Sequence, residues 1–95
     1  MKVYWIAIYK NLKNTKNIKS YASKASSVIK KYKGKILVRG GKTKNLEGKK
    51  FPRTVIIQFP SINHALKCYY SEEYQNAKKI IKGKLNRHIQ IVEGN

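Results

Sequence analysis

The chain has 95 residues, and its formal net charge is +18 at pH 7. A chain of this length fits one domain, which we expect to span residues 1–95. The single cysteine, Cys68, excludes an internal disulfide, and no cysteine–histidine pairing has the spacing of a zinc site. No apolar stretch is long enough to span a bilayer or to form a signal-peptide core. We therefore expect a cytoplasmic protein without cofactor, metal or membrane contact.

The positive charge comes mainly from lysine. Of the 22 basic residues only Arg39, Arg53 and Arg87 are arginine, whereas phosphate and base recognition favours the forked guanidinium group. Lysine, isoleucine and asparagine are abundant together and aspartate is absent, as a codon bias would produce. The lysines are also spread along the whole chain, which favours a solvated surface. Non-specific nucleic-acid binding through this surface remains the alternative.

The first half of the chain predicts a strand, a helix and a second strand. Lys2–Tyr9 carries apolar side chains on both faces, so we expect this strand to be covered on both sides. Thr15 is the predicted helix cap and Gly34 the predicted helix end. Ile36–Gly41 is the second predicted strand, and Lys42–Phe51 is a long basic connection. The helix from Thr15 has one apolar stripe, formed by Ile18, Tyr21, Ala22, Ala25, Val28, Ile29 and Tyr32.

The second half predicts another strand followed by a serine-capped helical region. Arg53–Phe59 is the third predicted strand, and Pro60 ends it because proline has no N–H to donate to the sheet. Ser61 and Ser71 are the predicted caps of two consecutive helical segments, of which the second ends at Gly83. The buried stripe of the first segment is predicted to be Ile62, Ala65, Leu66 and Tyr69.

The last predicted strand, Leu85–Glu93, places Ile89 and Ile91 on one face and His88 on the other. The order of the elements predicts an α+β, ferredoxin-like βαββαβ sandwich, in which a four-stranded antiparallel sheet carries two helices on one face. The other face still has apolar groups, which a second copy would cover. We therefore expect a homodimer through this open sheet face, in the form of a dimeric α/β barrel.

Two motifs that suggest phosphate or RNA binding lack required parts. Gly40–Thr43 resembles the end of a phosphate-binding loop, but position 36 is not glycine and the segment leads into a hairpin rather than a helix. An RNA-recognition domain has the same topology and stacks bases on aromatic strand residues, as Tyr4, Trp5 and Phe59 would be. The third strand lacks the basic-Gly-aromatic pattern of that domain. Packing is therefore the favoured role of these rings.

Few residues offer catalytic chemistry. His64 lies off the buried stripe of its helix and is expected at the surface, whereas His88 faces the partner or a cavity. Cys68 is expected to be a half-buried helix residue. Glu72 and Glu73 fit the first turn of a helix, where the helix dipole favours negative charge. The sequence therefore assigns no catalytic set, and enzymatic activity stays open.

Short segments along the whole chain match a known family in their order and spacing. They are Tyr4-Trp5-Ile6, Tyr32, Gly34, Val38-Arg39-Gly40-Gly41, Leu46-Glu47-Gly48, Arg53, Phe59-Pro60-Ser61, Ala65, Tyr70-Ser71, Glu73-Tyr74-Gln75 and Val92-Glu93-Gly94. On these residues the chain resembles domain-of-unknown-function family 1330, small bacterial proteins with the ferredoxin-like dimeric α+β barrel fold. The resemblance implies that fold and a homodimer, but no activity. The chain departs from the family pattern at Ile81, where arginine is usual, and at Arg87 and His88, where an acidic residue is usual.

A binding hypothesis rests on the arginines around the connection between the second and third predicted strands. Arg39, Glu47 and Arg53 match the family pattern, and a buried arginine needs a charged partner. That partner is either a ligand carboxylate or Glu47, in which case an internal ion pair would only order the hairpin. With Trp5 and His88, these residues form the predicted ligand-binding set. The predicted function is a homodimer that binds a small anionic molecule, as a binding protein or a cofactor-free enzyme. The alternatives are nucleic-acid binding and a structural or regulatory dimer without ligand.

Overall fold

The computed structural model describes residues 2–12 and 15–95. Its elements are β1 (Val3–Tyr9), α1 (Thr15–Lys31), β2 (Lys35–Arg39), β3 (Arg53–Phe59), α2 (Ile62–Tyr70), α3 (Glu72–Lys78) and β4 (Arg87–Glu93). The strands form one antiparallel sheet in the order β2-β3-β1-β4, and the three helices pack on one of its faces. This arrangement confirms the predicted ferredoxin-like fold. The second helical region is divided into α2 and α3.

Strand β1 lies inside the sheet and organises the core. Its side chains alternate, so that one face is buried under the helices and the other is partly exposed. The buried set is Val3, Trp5, Ala7 and Tyr9. The Trp5 ring packs 5.9 Å from the ring of Phe59 and 5.1 Å from that of Tyr74, measured between centroids. These aromatic contacts join the sheet to α3 and place the centre of the core beside Trp5.

Two serines define the helical region after β3, as predicted. Ser61 accepts a hydrogen bond from the backbone N–H of His64 at 3.2 Å, and Ser71 accepts one from that of Tyr74 at 3.1 Å. The Ser71 hydroxyl also donates to the carbonyl of Cys68 at 2.7 Å. Ser71 therefore ends α2 and begins α3 with one side chain, which explains the break between the helices.

Three predictions about this region are wrong. Helix α3 ends at Lys78 rather than at Gly83, because residues 79–84 form turns before β4 begins at Arg87. Helix α2 buries Ala65 and Cys68, whereas Ile62 and Leu66 are each 39% exposed. Small side chains allow α2 to approach the sheet closely. Cys68 is fully buried rather than half-buried, and burial raises the pKa of its thiol to about 12.

Helix α1 ends one residue earlier than its sequence suggests. Lys33 has a φ of 67° and its N–H bonds the Lys30 carbonyl, while the Gly34 N–H bonds the Ile29 carbonyl at 2.8 Å. This is the Schellman pattern, and Lys33 rather than Gly34 occupies its left-handed position. Gly34 is needed for space, because an added Cβ would lie 2.5 Å from Ile29 Cγ2 and 2.9 Å from the Phe59 ring. At the other end, Thr15 is the first helical residue, and the residue before it lies outside the described part of the chain.

The Lys33→Gly variant is expected to raise the free energy of unfolding by about 0.5–1 kcal/mol, since glycine adopts a positive φ without the steric cost that lysine bears. Urea titration measures this change. Lys33→Ala is the matched control, because alanine keeps the steric cost and should bring no gain. A Lys33→Gly protein no more stable than the alanine variant would contradict this explanation of the helix end.

Candidate functional site

A row of cationic and aromatic side chains crosses the sheet at the end of β1, on the face covered by the helices. Tyr9 pairs with Arg53 on β3 and with Arg87 on β4, so the three residues form one line across neighbouring strands. The next row contains Ala7 opposite Val55. Because Ala7 is small, space is left beside the row.

This space is a cavity of about 40 Å³ between the sheet and α1. Ala22 and Ala25 of α1 lie on its helix side, so small residues border it from both layers. Its arginines are Arg39, Arg53 and Arg87, which are all the arginines in the sequence. Its polar wall also includes Tyr9, Tyr21 and Ser26, and its apolar wall is completed by Trp5, Ile29, Ile36, Val55 and Ile57. The volume suits a few waters or one small ligand group, since a water requires roughly 10–15 Å³ by this measure.

Arg87 is held by tyrosine hydroxyls. Its Nη1 donates to the hydroxyl of Tyr21 at 2.9 Å and to that of Tyr9 at 3.4 Å, and its Nη2 donates to the hydroxyl of Tyr74 at 2.8 Å. The guanidinium carbon also lies 4.8 Å from the centroid of the Tyr21 ring. Neutral hydroxyls thus accept three hydrogen bonds from this cation, which has five N–H donors, and they do not balance its charge.

The protonation states of this cluster follow from burial. Burial alone would lower the pKa of Arg87, but the hydroxyls of Tyr21, Tyr74 and Tyr9 raise it above the ordinary arginine value. Burial raises the pKa of Tyr21 and of Tyr74 above that of a free tyrosine, although Arg87 opposes the increase. The cluster is therefore one cation among neutral phenols at physiological pH.

Arg53 has a buried nitrogen without a partner. Its Nε makes no hydrogen bond, and its guanidinium carbon lies 5.4 Å from the centroid of the Tyr9 ring. Gly40, with a φ of 69°, packs against the same guanidinium, and an added Cβ would collide with Arg53 Nη1. A buried donor without an acceptor costs about 1–3 kcal/mol.

The carboxylates of the chain lie elsewhere. Within the described residues the one salt bridge joins Lys31 to Glu73 at 2.7 Å, on the surface. Glu47 is exposed in the connection between β2 and β3, and among the described residues it pairs with neither Arg39 nor Arg53. The alternative internal Arg–Glu pair is therefore not formed.

The structure brings together three of the five predicted ligand-binding residues. Trp5, Arg39 and Arg53 line the cavity, Glu47 lies outside it, and His88 lies on the opposite face of the sheet. His88 bonds Gln90 there at 3.0 Å. The prediction did not include Arg87, although a signal was present in the sequence: Arg87 precedes Ile89 and Ile91 at two-residue steps, which places it on the buried face of the strand.

Two of the three rings considered for base stacking lie in the core. The rings of Trp5 and Phe59 face the helices and are buried, so they do not offer a stacking platform for bases. The described residues contain no cluster of three or more His, Cys, Asp or Glu side chains that could hold a metal ion. In the same residues, no helix has both the length and the apolar character required to cross a membrane.

Sheet, helices and cavity together define a ferredoxin-like α+β protein with an arginine-lined site beneath its first helix. The chain belongs to the family described as "Domain of unknown function (DUF1330)", whose profile matches residues 2–95. No protein with curated information matches the chain.

Solved structures share this fold at low sequence identity. A protein of unknown function from Rhodopseudomonas palustris is 12% identical, with a TM-score of 0.83 over 99% of this chain and 82% of that chain. A dimeric ferredoxin-like protein of unknown function from Jannaschia sp. CCS1 is 11% identical, with a TM-score of 0.79 over 99% and 100%. An ethyl tert-butyl ether d (ethd) family protein from Bacillus halodurans C-125 is 16% identical, with a TM-score of 0.64 and full coverage of both chains. At these identities the likeness establishes the fold alone.

Proposed function

We propose that the protein is a cytoplasmic homodimer that binds a small anionic molecule in the cavity beneath α1. The anionic group lies among Arg39, Arg53 and Arg87. The observation that carries this proposal is that all three arginines of a lysine-dominated chain line one cavity, and that no carboxylate of the described residues lines it or pairs with them. The cytoplasmic placement is supported by the lone cysteine, which offers no internal disulfide.

Electrostatics supports an anionic ligand. Arg53 and Arg87 are half-buried cations beside one small space, and Arg39 borders the same space as an exposed residue. Positive charges held near one another repel. An anion in this space would balance the positive charge through charge-assisted hydrogen bonds. Lysine is abundant elsewhere in the chain, so the choice of arginine here points to forked, planar recognition rather than to charge alone.

The open face of the sheet supports the homodimer. The two inner strands place Ile6 and Ile56 at the centre of this face. The residues around them are Tyr4, Ile8, Val38, Thr54, Gln58, His88, Gln90 and Val92. An apolar centre of this kind is common in interfaces. The similar protein from Jannaschia is described as dimeric, and sheet-to-sheet packing of two copies would cover this face.

Calorimetric titration with small anions at low ionic strength tests the proposal. Wild-type protein is expected to bind, and Arg53→Gln to bind about 30-fold more weakly or worse, because removing one charged partner typically costs 2 kcal/mol or more. Lys30→Gln is the matched control, since it removes the same charge from the exposed side of α1. Equal binding by the two variants would contradict the site.

A parallel titration with double-stranded DNA separates the nucleic-acid alternative. If surface lysines neutralise roughly 6–10 phosphates, the affinity for DNA is expected to fall by about 10³–10⁵ between 50 and 200 mM salt. Arg53→Gln would leave the affinity for DNA unchanged. Tight, salt-sensitive DNA binding without binding of small anions would favour that alternative over the proposed function.

A further inference from the structure

We infer that the ligand is a small organic monoanion with a short apolar body, of the short-chain carboxylate class. This inference rests on the proposed function and narrows its ligand. It is carried by the division of the cavity into a cationic side and an apolar side, by the donors that face it, and by its size.

Arg53 and Arg87 lie in the row of Tyr9 at one end of the cavity. Arg39 lies in the next row, opposite Val55. Beyond these two rows, the sheet contributes Trp5, Ile36 and Ile57. A ligand with a second charge or several hydroxyls would leave polar groups against this apolar wall, which costs free energy. The wall therefore favours one charged end and a hydrocarbon remainder.

The polar groups at the charged side are almost all donors. Arg39, Arg53 and Arg87 cannot accept hydrogen bonds. One hydrogen bond joins the hydroxyls of Tyr21 and Tyr74, and both hydroxyls also accept from Arg87. The hydroxyl that accepts in the Tyr21–Tyr74 bond therefore still has its own hydrogen to donate. Tyr21 lines the cavity and Tyr74 does not. If Tyr74 donates to Tyr21, the Tyr21 hydroxyl can in turn donate its hydrogen to a ligand oxygen in the cavity. A deprotonated carboxylate, which only accepts, fits these donors.

Size sets the length of the hydrocarbon part. The cavity holds about 40 Å³, so it takes a group of a few heavy atoms. Arg39, Arg53 and Ala22 also border an outer groove of about 390 Å³ between α1 and the edge of the sheet. The ligand can enter between the two arginines from this groove. Ala7 lies under the space that the hydrocarbon part would fill.

Titration with nitrate, acetate, propionate and butyrate tests this assignment. Nitrate has a planar charged group like that of a carboxylate but no hydrocarbon part. Each methylene that enters the apolar side is expected to raise affinity about three- to fourfold. Butyramide, which has the same body but adds N–H donors and lacks the charge, is expected not to bind. Nitrate or sulfate binding as tightly as butyrate would overturn the inference while leaving the proposed function standing, whereas no binding of any anion would overturn both.

Ala7→Val provides an independent test, because its two added methyl groups occupy the apolar side of the cavity. Butyrate affinity is expected to fall at least tenfold, while nitrate affinity stays within about twofold. Ala25→Val fills the same space from the helix and serves if the first variant does not fold. Unchanged butyrate binding in a folded variant, or equal losses for butyrate and nitrate, would overturn the placement of the hydrocarbon part.

Discussion

Ile6→Glu is expected to convert the proposed dimer into a monomer. Ile6 lies at the middle of β1, on the face that no helix covers, and Ile56 of β3 lies directly opposite it. In a symmetric sheet-to-sheet dimer both copies would bury the new carboxylate without a partner, at a cost of about 3–5 kcal/mol for each. The dissociation constant of the dimer should therefore rise at least 10³-fold.

Light scattering and sedimentation measure this effect, because the wild-type mass should be twice the 11.0 kDa of one chain. Ser27→Glu is the matched control, since it adds the same charge to the exposed side of α1. It should remain dimeric. Ile56→Lys tests the same face with the opposite charge and should also give a monomer. A dimeric, folded Ile6→Glu protein, or a monomeric wild type, would contradict the interface.

Arg87→Met is expected to weaken anion binding strongly while the unliganded protein stays folded. The substitution removes a buried cation that only neutral hydroxyls surround, and Tyr21 and Tyr74 keep the hydrogen bond between them. Replacing buried charge with an apolar side chain of similar length is often neutral or stabilising. We therefore expect the free energy of unfolding to stay within about 1 kcal/mol of wild type or to rise, and affinity for anions to fall at least 10²-fold.

Thermal unfolding with and without the anion that the wild type binds measures both parts of this expectation. Lys30→Met removes the same charge from the surface and should keep the ligand-induced shift in Tm. Arg87→Lys keeps the charge but loses the fork that reaches three hydroxyls, so it should also bind poorly. If Arg87→Met instead unfolds the protein while Arg87→Lys binds normally, Arg87 acts in folding and not in recognition.

The elements whose local chemistry is strong could be predicted from the sequence. Pro60 removes a donor from the sheet and Ser61 supplies a cap, so the boundary between β3 and α2 depends on only a few adjacent residues. The continuous apolar run of β1 and the alternating apolar residues of β3 and β4 predict these strands for the same reason. The end of α3 was missed, because the turns at 79–84 depend on how the chain must return to the sheet.

The sequence alone therefore determined the order of the elements, the faces of the strands, and the presence of arginines near the connection between β2 and β3. Only the tertiary structure decided which arginines meet. The register across three strands puts Arg53, Tyr9 and Arg87 in one row, and this register depends on long-range pairing rather than on neighbouring residues. The same packing left Glu47 at the surface and formed the cavity beside Ala7, since the space between two layers depends on residues that are distant in the chain.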